Sequence, residues 1–326
     1  MKHPQNTLSL VADIGGTNTR CALADGMVVL ERTIRRYSNA DYDSLETVLR
    51  QFLADENGVD PIAACVALAG PVRNGCGSLT NLDWQIDETT LSRATKAENV
   101  AILNDLQAQG YAIGQLPEGA IQPILTGSAQ APDHEPVRLM IGVGTGFNAA
   151  PVLDTRFGRS VPASESGHID LPVKGDLEHR LRDFTIEQNG FAAVEDVLSG
   201  RGLEHVYRFL GEDQGNPKSA SAKEIMTACQ DGTDTRSSEA VALFCQVLGR
   251  VCGNLSLIQL PFSGIYLVGG VARAISPYLH ESGFADSFAD KGRFSDFMSN
   301  FSVSIIEDDY AALTGAASFI GQRLKD

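Results

Sequence analysis

Long apolar runs are missing from this 326-residue chain: by inspection no stretch reaches the roughly 20 residues that a membrane-spanning helix requires. The opening, Met1 to Thr7, is polar and carries neither the basic nor the apolar segment of a secretory leader. A cytoplasmic location is expected. Cysteine is sparse, with six residues and no C-x-x-C pair, so Cys21, Cys65, Cys76, Cys229, Cys245 and Cys252 read as reduced, mostly buried thiols. Positive charge is also short. Against 41 Asp+Glu stand only 26 Lys+Arg, and the net charge of -15 opposes extended contact with nucleic acid or anionic lipid. That leaves a small metabolite as the expected partner. No G-x-x-x-x-G-K-[ST] loop occurs, nor the H-R-D and D-F-G signatures of protein kinases, and neither a low-complexity tail nor a helical repeat is visible. The single tryptophan, Trp84, is predicted to shape a cleft wall.

What is present is a soluble globular composition, 43% hydrophobic and 21% charged, in a chain longer than one core usually serves, which predicts two α/β domains. The stretch from Leu8 to Ala24 organises the rest. An apolar strand runs into Ala12-Asp13-Ile14-Gly15-Gly16-Thr17-Asn18 and returns as a second strand. Paired glycines let consecutive N–H groups converge on phosphate oxygens, Thr17 adds a hydroxyl, and Asp13 is placed to hold Mg²⁺ or its waters. An ordinary tight hairpin explains the same residues. A second copy at Leu139 to Leu153 changes the balance, because it again runs a strand into Gly142-Val143-Gly144-Thr145-Gly146. With Gly16-Thr17 laid over Gly144-Thr145, the flanking strands are expected to fall into register, as in two related halves facing one nucleotide.

Along the chain, Met27 to Tyr37 predicts a third strand, and Asp43 with Glu46 a capping-box start for a helix through Leu53 that ends near Asn57-Gly58. Ile62 to Leu68 and Val100 to Leu103 read as buried strands. Asn104 and Asp105 follow the latter directly, at the carboxyl end where ligands gather in open α/β sheets; a helix cap is the plain alternative for Asp105. Leu106 to Ile113 is expected to be a helix leading into the second domain, Leu116 to Pro136 a loop, and 177–259 mainly helical. A strand at Ile265 to Val268 ends on a third glycine turn, Gly269-Gly270, before a last strand at Ser302 to Ile306 and a closing helix at Leu313 to Leu324.

Asp13-Ile-Gly-Gly-Thr, Leu103-Asn104-Asp105, Gly142-Val-Gly-Thr-Gly, Glu165-Ser-Gly-His168, Glu195 in Val194-Glu-Asp-Val-Leu-Ser-Gly and Val268-Gly-Gly occur in an order that resembles the bacterial glucokinases nearly end to end. The match is to the type without structural zinc, since no Cys-rich motif follows His168 as it does in the related ROK kinases. The resemblance implies a two-domain α/β fold of the actin-like ATPase (ribonuclease H-like) class with a cleft between the domains. Residues 1–106 would form the small domain, joined by the C-terminal helix at about 307–326, and 107–306 the large one. It also implies ATP and Mg²⁺ as cofactors, transfer of phosphate to the 6-hydroxyl of D-glucose, and a homodimer.

On that resemblance Asp105 is the catalytic base. Asn104, Glu165, His168 and Glu195 form a polar ring around the sugar. Ala12, Asp13, Ile14, Gly15, Gly16 and Thr17 meet one side of ATP, Gly144, Thr145 and Gly146 the other, and Gly269 and Gly270 lie near the adenosine. Plainer alternatives remain for each: a solvated helix residue at Glu195, a satisfied loop histidine at His168, surface charge at Glu165. Another hexose, such as mannose or an amino sugar, stays open as substrate, as does a catalytically idle sugar sensor. ROK repressors carry an N-terminal DNA-binding domain for which the start at Asp13 leaves no room. Two departures stand out: Ser166-Gly167 where the family often has Gly-Gly, and Phe147-Asn148 in place of smaller residues.

Overall fold

In the computed structural model, which describes residues 7–79, 82–128 and 136–325, the chain divides into two units. The first gathers 1–118, 158–163 and 308–326, the second 119–157 and 164–307. The polar opening read at Met1 to Thr7 lies, apart from Thr7, outside the described residues.

The first unit opens with β1 (Leu8–Ile14), β2 (Asn18–Asp25), β3 (Val28–Val29) and β4 (Arg35–Ser38), then α1 (Leu45–Asp55), β5 (Ala63–Leu68), β6 (Val72–Arg73), β7 (Cys76–Leu79), β8 (Leu82–Asp87), α2 (Glu88–Thr95), β9 (Asn99–Asn104) and α3 (Asp105–Ala112). Its main sheet has the order β3-β2-β1-β5-β9, with β4 also on β2. β1 pairs antiparallel with β2 and parallel with β5, and β5 pairs parallel with β9. The two faces of β5 are buried, which is why Ala63 to Leu68 reads as an unbroken apolar run. A small sheet, β6-β7-β8, completes the unit.

Several expectations are corrected here. The strand at Met27 to Tyr37 breaks into β3 and β4, because the buried Thr33 hydroxyl takes the Leu23 N–H (2.9 Å) and donates to the Leu30 carbonyl (2.7 Å). α1 is capped by Ser44 and Thr47, and Glu46 instead pairs with Arg50 and Arg93. Trp84 is buried in the core of the first unit with Leu68, Leu79, Ile86 and Leu91. α3 stays with the first unit: Arg159, on β13 (Gly158–Ser160), donates to the carbonyls of Gly110, Tyr111 and Ile113 at its C-terminal end. The boundary therefore falls at 118/119 instead of 106/107.

In the second unit stand β10 (Ile121–Leu125), β11 (Val137–Val143), β12 (Phe147–Thr155), α4 (Gly175–Asn189), α5 (Val194–Val197), α6 (Gly200–Asp213), α7 (Ala222–Asp231), α8 (Thr235–Gln259), β14 (Ile265–Val268), α9 (Gly270–Ile275), α10 (Phe284–Ala289) and β15 (Val303–Ile306). Its sheet follows β10-β15-β14-β11-β12. β11 is antiparallel to β12 and parallel to β14, and β14 is parallel to β15, so both units use one hairpin followed by two parallel strands. The hairpins differ in one respect. Ile14 pairs with Thr19 across four turn residues, and Val143 with Phe147 across three, so a single overlay cannot hold both flanking strands in register.

β10 replaces part of the loop expected at Leu116 to Pro136; residues 129–135 lie outside the described set. Pro123 hid it, and the strand tolerates that proline by sitting at the sheet edge with a register shift beside it. α8 also corrects the reading of apolar runs: by length and a mean hydropathy of 1.6 it could cross a membrane. With 72% of that window buried it is the core helix of the second unit, packed on α10 and α6. Four cysteines are buried, while Cys229 is half-buried and Cys76 exposed; all are free.

α11 (Ala311–Arg323) closes the first unit by lying on α3, β1 and β5. A Cβ built at Gly315 would stand 1.6 Å from the Ala108 carbonyl oxygen, so the two helix backbones meet there without a side chain. Gly315→Ala is expected to destabilise the protein by about 1–3 kcal/mol in chemical denaturation; a loss under about 0.5 kcal/mol would show that the helices separate freely.

Candidate active site

Strand pairing sets the first group of residues side by side. Ile14 lies opposite Leu68, and Leu68 opposite Asn104, so the ends of β1, β5 and β9 share one edge of the sheet. This brings the first glycine turn, Asp13, Asn104 and Asp105 together within the first unit. Within the turn the Gly15 N–H donates to the Asn18 carbonyl (2.9 Å), which leaves Gly16 and Thr17 as the backbone donors for an anion. The Thr17 hydroxyl accepts from the Asn18 amide (2.8 Å).

Asn39, which the sequence reading passed over, fixes this turn from behind. Its Nδ2 donates to the Gly15 carbonyl (2.8 Å), its N–H to the Thr17 carbonyl (2.9 Å), and its Oδ1 accepts from the Thr19 hydroxyl (2.8 Å). It is almost wholly buried. Nothing in Tyr37-Ser38-Asn39-Ala40 marks it as more than a loop residue, because its role exists only once β4 pairs with β2.

Arg20, also missed, faces Asp13 across the β1–β2 ladder, with its Nη1 3.1 Å from the Asp13 Oδ2. The same guanidinium reaches the Asp309 carbonyl (3.2 Å). Burial pushes the Asp13 carboxyl above its ordinary range, and Arg20 opposes that push. Asp105 is also raised, to about 6, first by burial and then by the charge of Asp13; the Leu106 N–H, 2.8 Å from its Oδ1, pulls the other way.

The cap of α3 falls on Asn104, with Asp105 as the first helical residue. Asn104 Oδ1 accepts from the Leu106 N–H (2.9 Å), and its Nδ2 donates to the Gly70 carbonyl (2.9 Å). One donor and one acceptor position of that amide remain for a ligand.

Mg²⁺ was assigned to Asp13 through water. Among the described residues no cluster of three or more His, Cys, Asp or Glu forms a metal cage. Mg²⁺ ordinarily binds through one or two carboxylates, several waters and substrate phosphates. A half-buried carboxylate with one oxygen outside the Arg20 pair, close enough to Asp105 to raise that second carboxylate's proton affinity, fits that mode.

The second group belongs to the second unit. Gly144 donates its N–H to the Gly146 carbonyl (2.9 Å), and the Gly144 carbonyl accepts from the N–H of Gly200 at the start of α6 (2.9 Å). That fourteen-residue helix directs the positive end of its dipole at the turn. Ser199 caps it, accepting from the Gly202 N–H (3.0 Å) and donating to the Glu195 carbonyl (2.9 Å). The closeness of Ser199-Gly200 to the turn arises from packing and has no signal in the sequence.

Glu195 does not stand free as a sugar acceptor. Its Oε2 takes the Phe147 N–H (2.9 Å), and its Oε1 lies 3.6 Å from the exposed Arg201. A Cβ at Gly146 would fall 2.4 Å from Oε2, so this glycine admits the carboxylate as well as any phosphate. Gly269 has a similar local reason: φ is +107°, and a Cβ would meet the Val143 carbonyl oxygen at 2.4 Å. Its neighbour Gly270 lines a cavity of about 530 Å³ with Leu203, Met226, Val271 and Tyr278. Glu165 and His168 are both exposed, at the two ends of a single 3-10 turn in which the His168 N–H donates to the Glu165 carbonyl (3.1 Å).

A family model described as Glucokinase matches residues 10–323. The chain belongs to the glucokinase family. A glucokinase of Yersinia enterocolitica is 33% identical over 322 residues, covering 97% of each chain. Among solved structures, the glucokinase of an Antarctic psychrotroph superposes with a TM-score of 0.85 at 30% identity, over 97% of this chain and 99% of that one. A ROK family glucokinase from Streptomyces griseus, solved with glucose and AMPPNP, shares the fold at a TM-score of 0.63 and 19% identity, over 96% and 98% of the two chains. This glucokinase-family chain is thus of mixed α/β architecture, like the glucokinase and ROK sugar kinase structures.

Because the Asn39 side chain makes two bonds, to the Gly15 carbonyl and the Thr19 hydroxyl, Asn39→Ala is expected to cost about 1–3 kcal/mol of stability and to speed amide exchange at Thr17 to Thr19. Unchanged exchange there would mean that the turn holds its shape without it.

Proposed function

We propose that the protein phosphorylates D-glucose at its 6-hydroxyl with ATP, giving glucose 6-phosphate and ADP. The observation that carries this reading is Asp105: a carboxylate at the sheet edge beside the first glycine turn, with its proton affinity raised to about 6. A base works best when its pKa lies near the operating pH, and phosphoryl transfer asks the protein mainly for placement, charge neutralisation and a proton acceptor. In this role Asp105 takes the proton of the sugar hydroxymethyl, and Asn104 holds it at the helix start while offering one donor and one acceptor to the sugar.

Glu165, His168 and Glu195 supply the further polar contacts, with Glu195 limited to Oε1 because its other oxygen is bonded to Phe147. The N–H groups of Gly16 and Thr17 meet one side of the phosphates. Thr145 and Gly146, with the N-terminal end of α6, meet the other, and Ala12 and Ile14 are the backbone that carries Asp13 to the turn. The cavity beside Gly270 takes the adenosine. Asp13 would hold Mg²⁺ through its waters; that ion supplies charge neutralisation on the phosphates.

In this reading the fold is of the two-domain actin-like ATPase class, the protein is a cytoplasmic homodimer, and it enters sugar into glycolysis. The family membership supports these last points by likeness.

Asp105→Asn, nearly isosteric, is expected to lower kcat by about 10²–10⁴ with glucose binding retained. Wild-type kcat/KM should fall about tenfold per pH unit below pH 6 as the base is protonated. The sign for stability is opposite to that for activity. A carboxyl whose folded pKa lies above its unfolded value adds no penalty below pH 4, and destabilises the fold increasingly up to about pH 6. The Asn variant should therefore be more stable at pH 8 by about 1–3 kcal/mol, with no gain at pH 4. An ADP-release assay across a hexose panel, paired with isothermal glucose titration, decides the matter. Glucose binding without any hexose-stimulated ADP release would replace the enzyme by a sensor, and a variant with turnover within tenfold of wild type would remove Asp105 from the role.

A further inference from the structure

The two places where this chain parts from the motif pattern meet in space. Asn148 is the second residue of β12, and its Oδ1 accepts from the N–H of Ser166 (3.1 Å), from the Ser166 hydroxyl (3.1 Å) and from the Ala149 N–H (2.8 Å). Its Nδ2 donates to the Ser164 carbonyl. The Ser166 Oγ in turn accepts from the Ala149 N–H (2.8 Å), and the Ala149 carbonyl, at 3.2 Å, is a second acceptor for its proton. One amide and one hydroxyl, both half-buried, thereby fasten residues 164–166 to β12.

Two neighbours tighten this arrangement. A Cβ at Gly167 would stand 2.1 Å from the Phe147 carbonyl oxygen, so the turn lies directly against the strand there. The N–H of the same Phe147 is bonded to Glu195. Residues 147 and 148 are thus gripped through a main-chain N–H, a main-chain carbonyl and a side chain. They are also the residues that leave the second glycine turn.

Glu165 lies between the two residues that Asn148 holds, and its carbonyl accepts the His168 N–H. The orientation of that 3-10 turn therefore follows from the Asn148–Ser166 bonds, although neither side chain belongs to the proposed polar ring. We propose that Asn148 and Ser166 are a positioning pair: they set the angle at which Glu165 and His168 meet the hexose, and with it the selectivity among hexoses. This rests on the reading of Glu165 and His168 as sugar contacts.

Because the Ser166 hydroxyl bonds to Asn148 Oδ1 and both side chains take the Ala149 N–H, removing Asn148 already removes most of what the Ser166 hydroxyl contributes, so their effects should not add. Purified full-length protein is assayed with glucose and ATP varied in turn, for wild type, Asn148→Gly, Ser166→Gly, the double variant and Ser166→Thr. Asn148→Gly is expected to raise the glucose KM about 10–100-fold, the KM for ATP and kcat changing less than about threefold, and to compress the preference for glucose over mannose. The double variant should lie within about twofold of Asn148→Gly, and Ser166→Thr, which keeps the hydroxyl, near wild type. If Asn148→Gly loses its cooperative melting, Ser166→Ala carries the test with a glucose KM raised about three- to tenfold.

A glucose KM within about twofold of wild type in both single variants, an equal rise in the two KM values, or additive effects would overturn the pair. Glu165→Gln and His168→Gln serve as the independent control. A glucose KM unaltered in both overturns the sugar-site reading and the proposal with it, whereas a raised one with inert Asn148 and Ser166 variants overturns the pair alone.

Discussion

A loop that receives an anion must keep its N–H groups unspent and still hold one shape, and in both units a polar side chain resolves that conflict. Asn39 bonds to the carbonyls and the flanking hydroxyl of the first turn, and Glu195 to the N–H that follows the second. Each turn then uses only its first N–H internally. Glycine is required in this scheme for two separate reasons. Gly146, Gly167 and Gly269 make room for the parts that hold the turn, and the first-turn glycines keep backbone open toward solvent. The chain's net charge of -15 makes this local arrangement necessary, because no overall field draws an anion in.

The carboxylates of the first unit show the complementary problem. Asp13 and Asp105 stand near one another in a partly buried edge; burial raises the cost of ionising both, and the charge of Asp13 adds to it at Asp105. Arg20 opposes that cost at Asp13, whereas at Asp105 the opposition comes from the Leu106 N–H and the Asn104 side chain. Stability and chemistry are opposed at this position, as is common where a buried group must act as a base.

The elements legible in the sequence were those whose pattern is set locally. β5 and β9 announce themselves as apolar runs, α8 by its periodicity, and the glycine turns by composition. Elements decided by a distant partner were not. β10 carries Pro123 and exists because β15 offers it an edge; the break between β3 and β4 depends on Thr33 reaching Leu23. The candidate site divides the same way. Asp13, Asn104, Asp105 and the two turns were visible as motifs, whereas Asn39, Arg20 and the tie between Ser199 and the second turn arise only from cross-strand pairing and packing. Glu195, singled out on its motif, has half its carboxylate engaged by a backbone N–H that no motif would disclose.

The first unit is written in three separate pieces of chain, and its closing piece, α11, follows the whole of the second unit in sequence. Synthesis proceeds from the N-terminus, so β1, β5 and α3 emerge long before the helix that covers them. The second unit, contained within the middle of the sequence apart from the 158–163 excursion, can complete its contacts first. Until α11 emerges the nascent first unit would expose the apolar face that this helix buries, a window in which chaperone capture competes with misassembly. Loss of α11 would be felt as a failure of maturation, at a distance of roughly 240 to 300 residues from the strands β5 and β1 left bare.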